Sequence, residues 1–402
     1  MIDLLKLLGI LVLIIGFLRV GWNIGLILLI ASGFTGLLFG LTPQEVGIEA
    51  LQAVVDPLTL RLITIVLLIT FLGQVLRSTL QMEGLIRSLS DLLVDRRWLL
   101  ALLPMLIGLL PMVGGAMFSA PMVEEASQGM NVSNERKTFV NYWFRHAMET
   151  VFPLYPSLVL AAGLMGVTPQ VLTKTQWPLC LATLAGGFLF GLVGIRRLSD
   201  SVEDKPARKE SLALLGTSVW PIVLVLALAL LLGLDLILSL VLTLVALILV
   251  QRLGPRRLWE MVRSVPFGAV PIIVGTMIFR QVLESSGAIA AASEAFSSLG
   301  IPVLLVVFAI PFLVGLMTGL ALPAFAIGFP IVLPLCGPDV VTSGCGMVAF
   351  AGGFLGLLLS PVHICLTLTR AYFRAAWGGL YRLMIPAALL IVAAAAVAVW
   401  LR

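Results

Sequence analysis

The chain has 402 residues, of which 60% are hydrophobic and only 11% carry a charge. Soluble globular domains carry about 25% charged residues. The chain therefore lacks the polar surface of a soluble enzyme, a nucleic-acid-binding protein or a disordered scaffold. We interpret it as an all-α polytopic membrane protein. Its net charge of +5 is small, so the positions of the basic residues are more informative than their number.

Ten apolar stretches come close to the roughly 20 residues that a transmembrane helix needs. They are residues 4–18, 22–40, 57–76, 147–166, 177–195, 212–232, 236–250, 266–282, 347–369 and 380–400. Two further apolar stretches, residues 98–130 and 301–335, are interrupted in the middle by Gly and Pro, which break helices. We predict that each of these two is a re-entrant helical hairpin, because broken backbone at membrane depth must be buried in protein or line a wet cavity.

The basic residues predict an orientation. If both termini lie outside, 20 of the 25 Lys and Arg residues fall in cytoplasmic segments, Arg145 among them. Cytoplasmic loops are rich in Lys and Arg. The sequence therefore favours a multi-pass protein of the inner (cytoplasmic) membrane with both termini outside.

The two halves of the chain match each other. Ile107 and Gly108 in the first hairpin correspond to Val314 and Gly315 in the second, at the same offset of 207 residues. Each hairpin is followed by a helix interrupted at proline. The arm before the first hairpin is basic, whereas the arm before the second has no Lys or Arg, so the two arms should lie on opposite sides. These features predict an inverted repeat, with the following division of the chain: repeat 1 in residues 1–195, a charged cytoplasmic linker in 196–211 and repeat 2 in 212–402.

The pattern resembles the ion transporter superfamily, and most closely an uncharacterised member family, domain of unknown function 401. Two segments carry the resemblance: Leu-Pro-Met-Val-Gly-Gly-Ala-Met-Phe-Ser-Ala-Pro-Met-Val-Glu-Glu at residues 110–125, and Ser-Pro-Val-His-Ile-Cys-Leu-Thr-Leu-Thr at residues 360–369. The superfamily includes dicarboxylate, citrate and gluconate permeases, to which the chain is distantly similar. The resemblance implies a homodimer with elevator-like alternating access. It also implies that two hairpin tips and two unwound helices form a site for an anion and its coupling cation.

The predicted function is therefore secondary active transport, not an enzymatic reaction. We expect the substrate to be a small organic anion coupled to Na⁺ or H⁺. Half-helix N-termini suit an anion, and unwound carbonyls suit Na⁺. The hairpin tips lack the Ser-Asn-Thr of dicarboxylate symporters, which argues against a dicarboxylate. We expect contact with membrane lipid and none with nucleic acid.

The candidate substrate-binding residues lie at the two tips and at the two interrupted helices. They are Gly114, Gly115, Ser119, Thr150, Tyr155, Ser157, Thr318, Gly319, Pro323, Ser360, His363 and Thr367. A Na⁺ site is expected near Gly114, Ser119, Thr318 and Ser360. The same glycines would also let the hairpin arms pack closely, as small residues do in membranes.

Several ionisable residues allow two interpretations. His363 either binds substrate or relays a proton, or is a histidine with ordinary hydrogen bonds. Arg280 and Glu284 form an interfacial ion pair, or Arg280 compensates an anionic substrate. His146 and Glu149 lie three residues apart, but no third metal ligand follows at a suitable spacing. A membrane-embedded enzyme and a channel or lipid scramblase stay open as alternative functions.

The cysteines suggest one covalent link. Cys336 and Cys345 are separated by a turn-forming segment that contains Gly337, Pro338 and Gly344. In the predicted orientation this segment faces an oxidising compartment, so the two residues could form a disulfide. The alternative is a pair of free, buried thiols.

Overall fold

The computed structural model describes residues 2–93, 95–109, 115–195, 207–291, 294 and 300–401, with the backbone alone at Ile2 and Leu4. Helix makes up 80% of the structure, and the described residues form no strand. The α-helices, numbered α1 to α20 in chain order, are Ile2–Val20, Ile24–Leu38, Pro43–Val55, Pro57–Ser78, Gln81–Leu92, Arg96–Gly108, Ala116–Ala126, Asn134–His146, Pro156–Leu164, Pro169–Thr175, Trp177–Gly186, Arg208–Leu226, Leu236–Val250, Pro255–Arg263, Ala269–Ser285, Val303–Thr318, Ala321–Val332, Cys345–Leu359, Ile364–Phe373 and Trp377–Trp400.

Within the described residues, four helical segments are long and apolar enough to cross a membrane: Pro57–Ser78, Arg208–Leu231, Cys345–Phe373 and Trp377–Trp400. The bent pair α9 and α10, which meet at 97°, makes a fifth if the two count as one span. The chain is therefore an all-α membrane protein. Other apolar helices, such as α2 and α13, are shorter, and the number of ten crossings stays a prediction.

Two helical hairpins lie where the sequence predicts them. Hairpin 1 consists of α6 and α7, which pack on each other, and hairpin 2 consists of α16 and α17, which also pack on each other. In hairpin 2 the turn is short, because Gly319 adopts a left-handed conformation with φ of 64° directly after α16. Residues 110–114 of the first tip lie outside the described residues, and the predicted site residue Gly114 is one of them.

Two helices are interrupted close to these hairpins. Residues 147–155, which we call break 1, separate α8 from α9, and residues 360–363, which we call break 2, separate α18 from α19. The segment 147–166 was predicted as one crossing, but only α9 within it is helical, because Pro153 and Pro156 remove backbone donors. The helix that precedes break 1 is α8, whose residues from Thr138 to His146 are all buried.

The hairpins pack on the interrupted helices in a reciprocal way. In each half, the first arm of the hairpin packs on the helix that precedes the break, as α6 does on α8 and α16 does on α18. The second arm packs on the helix that follows the break of the other half, as α7 does on α19 and α17 does on α9. The two halves of the chain are thus interlocked around the two breaks.

Glycines set the distance between the hairpins and these helices. A Cβ atom on Gly352 or Gly356 of α18 would collide with the carbonyl oxygens of Phe308 and Phe312 in α16. A Cβ atom on Gly315 would lie 2.7 Å from the carbonyl oxygen of Gly353. Because such small residues let two backbones approach closely, α16 and α18 form a tight pair that presents Gly319 to break 2.

A second group of helices surrounds this centre. Helix α15 packs on α2, α3 and α4, and α12 packs on α5 and α13. Amphipathic α3 begins with a capping box, in which Thr42 and Glu45 cap each other's backbone and Pro43 occupies the first turn. Helices α4 and α15 join the two groups, since they contact α9 and α17 respectively.

Cys336 and Cys345 form a disulfide, with their Cα atoms 5.8 Å apart, which decides between the two possibilities that the sequence leaves open. It connects the end of hairpin 2 to the first residue of α18. Among the described residues the free cysteines are Cys180 and Cys365, and both are buried.

This covalent link predicts a simple thiol count. We expect alkylation of the denatured, unreduced protein to label two of its four cysteines, and alkylation after reduction to label all four. Reduction should lower the stability by about 2–3 kcal/mol, since the closed loop is short. A variant with both Cys336→Ser and Cys345→Ser is the control, because its melting temperature should not respond to reductant. Four labelled thiols in the unreduced protein would disprove the bond.

Candidate functional site

The helix ends at the two breaks have carbonyl groups that no further turn of helix can satisfy. At break 2 these carbonyls accept hydrogen bonds from side chains of other segments. The Tyr142 hydroxyl donates to the carbonyls of Leu357 and Leu358, at 3.3 and 3.1 Å, and the Tyr381 hydroxyl donates to that of Leu359 at 2.8 Å. The last turn of α18 is therefore capped by side chains.

The two hairpins are capped in the same manner. Ser360 Oγ of break 2 donates to the carbonyl of Leu316 in α16 at 2.6 Å, and the Tyr155 hydroxyl of break 1 donates to the carbonyl of Gly108 at the end of α6. Each break thus supplies the hydroxyl group that caps the hairpin of its own half. These bonds hold the unwound segments against the hairpins.

The helices that begin at the breaks and tips differ from those that end there. Helices α7, α9, α17 and α19 have the N-cap residues Gly115, Tyr155, Leu320 and His363, and none of these side chains caps its own helix. The first N–H groups of a helix carry a partial positive charge of about half a unit. Two such N-termini begin at the breaks, and the other two begin at the hairpin tips.

Contacts between the two halves bring the breaks together. Asn141 of α8 donates from Nδ2 to the carbonyl of Ala116 in hairpin 1 and to Thr369 Oγ1 in α19, both at 3.1 Å. The rings of His146 and His363 lie 4.9 Å apart, and each also contacts the ring of Tyr142. We use the term junction for the region where break 1, break 2 and the tip of hairpin 2 at Gly319 meet.

The junction contains a buried cluster of ionisable groups. Arg145, His146 and Glu149 are 4%, 2% and 8% exposed, and His146 Nδ1 lies 2.8 Å from Glu149 Oε1. The distribution of basic residues predicts Arg145 in a cytoplasmic segment, and its side of the membrane stays a prediction. The structure shows that Arg145 is buried, with its carbonyl against Gly108 of hairpin 1. Among the described residues, Arg145 is the only buried Lys or Arg.

His146 also has more partners than its local sequence suggested. The Sγ of Cys365 and one ring nitrogen each of His146 and His363 lie within 4.8 Å of one another, and all three residues are buried. Along the sequence, no third metal ligand follows His146 and Glu149 at a suitable spacing. The missed residues, His363 and Cys365, come from the other half of the chain.

The remaining predicted site residues divide into two groups by exposure. Gly115, Ser119, Thr150, Ser157, Gly319, Pro323 and Ser360 are buried, whereas Thr318 and Thr367 are half-buried. Thr318 and Thr367 donate to backbone carbonyls of their own segments. His363 forms hydrogen bonds with both Gly319 and Ser360. Tyr155 instead donates to hairpin 1.

Two other charged sites are partly or fully exposed and so lie outside this buried cluster. Arg280 Nε donates to Glu284 Oε1 at 2.8 Å, and both side chains are partly exposed. They line a surface cleft together with Met165, Phe329 and Val340. Glu124 is exposed and accepts a hydrogen bond from the Tyr372 hydroxyl at 2.6 Å.

The tip of hairpin 2 gives a prediction about its glycine. A Cβ atom on Gly319 would lie 2.8 Å from the backbone of His363, and its φ of 64° is unfavourable for other residues. Gly233 has a similar φ of 67° but open space around it. We expect Gly233→Ala to lower stability by about 1–2 kcal/mol through its backbone conformation. Gly319→Ala should cost roughly 1–3 kcal/mol more because of the collision.

Thermal unfolding of both variants in the same detergent measures this difference. Equal losses of stability would contradict the close approach of the hairpin tip to break 2.

No curated protein matches the chain. One family model matches it over residues 2–401, which is nearly its whole length. That model carries the description "Protein of unknown function (DUF401)". The chain, with its two hairpins and two interrupted helices, belongs to this family.

Proposed function

We propose that the protein is a secondary active transporter of a small organic anion, coupled to Na⁺ or H⁺, with its binding site at the junction. The observation that carries this proposal is that, among the described residues, carbonyl ends of helices at the hairpins and breaks are capped by side chains, whereas the N-termini there are not. Within the described part of the chain, side chains cap carbonyl ends of α6, α16 and α18, while no N-cap side chain caps α7, α9, α17 or α19.

Uncapped helix N-termini attract anions, because their N–H groups and the helix dipole both favour negative charge. The positive charge of the buried Arg145 lies beside break 1 and adds to this preference. In transporters, discontinuous helices of this kind hold anionic substrate groups at their N-termini and coupling ions at unwound carbonyls. The buried pair of His146 and Glu149 supports H⁺ as the coupling ion, and the unwound carbonyls support Na⁺.

The reciprocal packing of the hairpins supports the inverted repeat. Gly108 and Gly315 are 207 residues apart, and each lies against the helix that precedes the break of its own half. We further propose the inner membrane as the location, both termini outside, a homodimer as the assembly and an elevator-like movement of the hairpins. These features rest on the distribution of basic residues and on the family resemblance.

A membrane-embedded enzyme is the second candidate function, and one observation favours it. Cys365 is a buried thiol beside two histidines, and enzymes use such pairs of nucleophile and base. The two functions differ in outcome, because a transporter delivers its substrate unchanged whereas an enzyme releases a product.

Uptake into proteoliposomes tests the transport proposal. We expect one or more labelled small organic anions, from a panel of mono- and dicarboxylates, to accumulate when a Na⁺ or H⁺ gradient is imposed. The anion recovered from the vesicles should be chemically unchanged. Accumulation should stop when an ionophore dissipates the gradient. Flux that only equilibrates the anion would indicate a channel, and a converted product would indicate the enzyme.

A matched pair of arginine variants tests the role of the junction. Arg145→Gln removes the buried charge, and loss of a hydrogen bond to a charged group costs about 1.5–3 kcal/mol. We therefore expect uptake to fall by at least about tenfold. Arg256→Gln is the control, because that side chain is 97% exposed on α14, and its uptake should match the wild type. Equal uptake by both variants would show that the anion binds elsewhere.

A further inference from the structure

We propose that His146, His363 and Cys365 bind one transition-metal ion, of the Zn²⁺ class, at the junction. Imidazole and thiolate are ligands that Zn²⁺ prefers, whereas Na⁺ and Mg²⁺ prefer oxygen. The metal site is independent of the transport proposal, since it depends on these three side chains alone.

The three ligand atoms already lie close to the spacing that a bound metal ion requires. They lie within 4.8 Å of one another, whereas ligands around a bound Zn²⁺ would be about 3.4–3.8 Å apart at normal bond lengths. Inward shifts of about 1 Å or less would therefore complete the site. His146 lies at the end of α8, His363 in break 2 and Cys365 in the first turn of α19.

In both histidines, Nδ1 already forms a hydrogen bond to another group of the protein. His146 Nδ1 bonds to the carboxylate of Glu149 at 2.8 Å, and His363 Nδ1 bonds to the carbonyl of Gly319 at 2.5 Å. Metal-binding histidines nearly always donate their second N–H to a carboxylate or a backbone carbonyl. The two partners here are one of each kind.

The hydrogen-bond partners determine which ring nitrogens carry a proton and which present a lone pair. The carbonyl of Gly319 and an ionised Glu149 can only accept, so Nδ1 of each ring carries the proton and Nε2 of a neutral ring carries a lone pair. Both Nε2 atoms are buried and have no hydrogen-bond partner within the described part of the chain. One Cys365 thiol has one proton and can satisfy only one of them. A metal ion satisfies both and takes the thiolate, whose proton is released.

Three protein ligands leave the fourth position of a tetrahedral ion open, as in catalytic zinc sites. The ion would also connect the end of α8 to the start of α19, and so link the two halves of the chain at their breaks.

Metal titration of the purified full-length protein tests this site. After treatment with a chelator, the protein is titrated with Zn²⁺ against a chromophoric competitor, and bound zinc is counted by mass spectrometry. We expect about one ion per chain and a rise in melting temperature. Co²⁺ in place of Zn²⁺ should give the visible bands of a tetrahedral site and a thiolate-to-cobalt charge-transfer band.

Variants identify the ligands. Loss of an outer partner of a metal-bound histidine typically costs 10–100-fold in affinity, so Glu149→Gln should weaken binding by about that factor. Cys365→Ser should weaken it by at least about 100-fold, because it removes a ligand. Cys180→Ser is the matched control, since Cys180 is the other buried free cysteine, and it should bind like the wild type.

Two results would overturn the proposal. One is wild-type protein that binds much less than one ion per chain, or that gives no charge-transfer band with Co²⁺; the cluster would then hold an extra proton instead of a metal. The other is equal affinity in the Cys365→Ser and Cys180→Ser variants. If Cys365→Ser does not fold, the Co²⁺ spectrum of the wild type and the Glu149→Gln affinity decide the question.

Discussion

The structure depends on one constraint, which is that broken backbone inside a membrane must find hydrogen-bond partners within the protein. The carbonyls at the ends of α6, α16 and α18 meet this requirement through Tyr155, Ser360, Tyr142 and Tyr381. Tyr155 and Ser360 belong to the breaks, Tyr142 to the helix before break 1 and Tyr381 to α20. Each break therefore stabilises the hairpin of its own half, and removing one cap would leave a buried carbonyl unsatisfied at a cost of about 1–3 kcal/mol.

Close approach of the backbones makes these caps possible. A serine or tyrosine hydroxyl reaches a carbonyl of another helix only if no side chain separates the two. Gly108 and Gly315 provide that contact, because a Cβ atom on either would collide with the helix that precedes the break. The same glycines that permit tight packing thus also shape the junction, so the two interpretations of them drawn from the sequence are compatible.

Much of the fold could be predicted from the sequence, because Gly and Pro act locally. The interruptions near Pro153 and Pro361, the two hairpins and the disulfide of Cys336 and Cys345 follow from residues close together in the chain. The burial of Arg145 could not be predicted in this way. A count of basic residues assigns a charge at a helix end to a loop, and only the packing of α6 on α8 removes Arg145 from solvent.

The histidine and cysteine cluster shows the same limit more clearly. Local spacing tests a metal site only when its ligands lie on one segment, and His146 is far from His363 in the chain. Residues that are distant in the sequence meet at the two breaks, where the two halves of the chain pack on each other. A search for ligands in such a chain should therefore compare the interruptions of the two halves. By that comparison His146 and Glu149 form one cluster with His363 and Cys365, because the residues at break 1 and break 2 lie close together in one buried region.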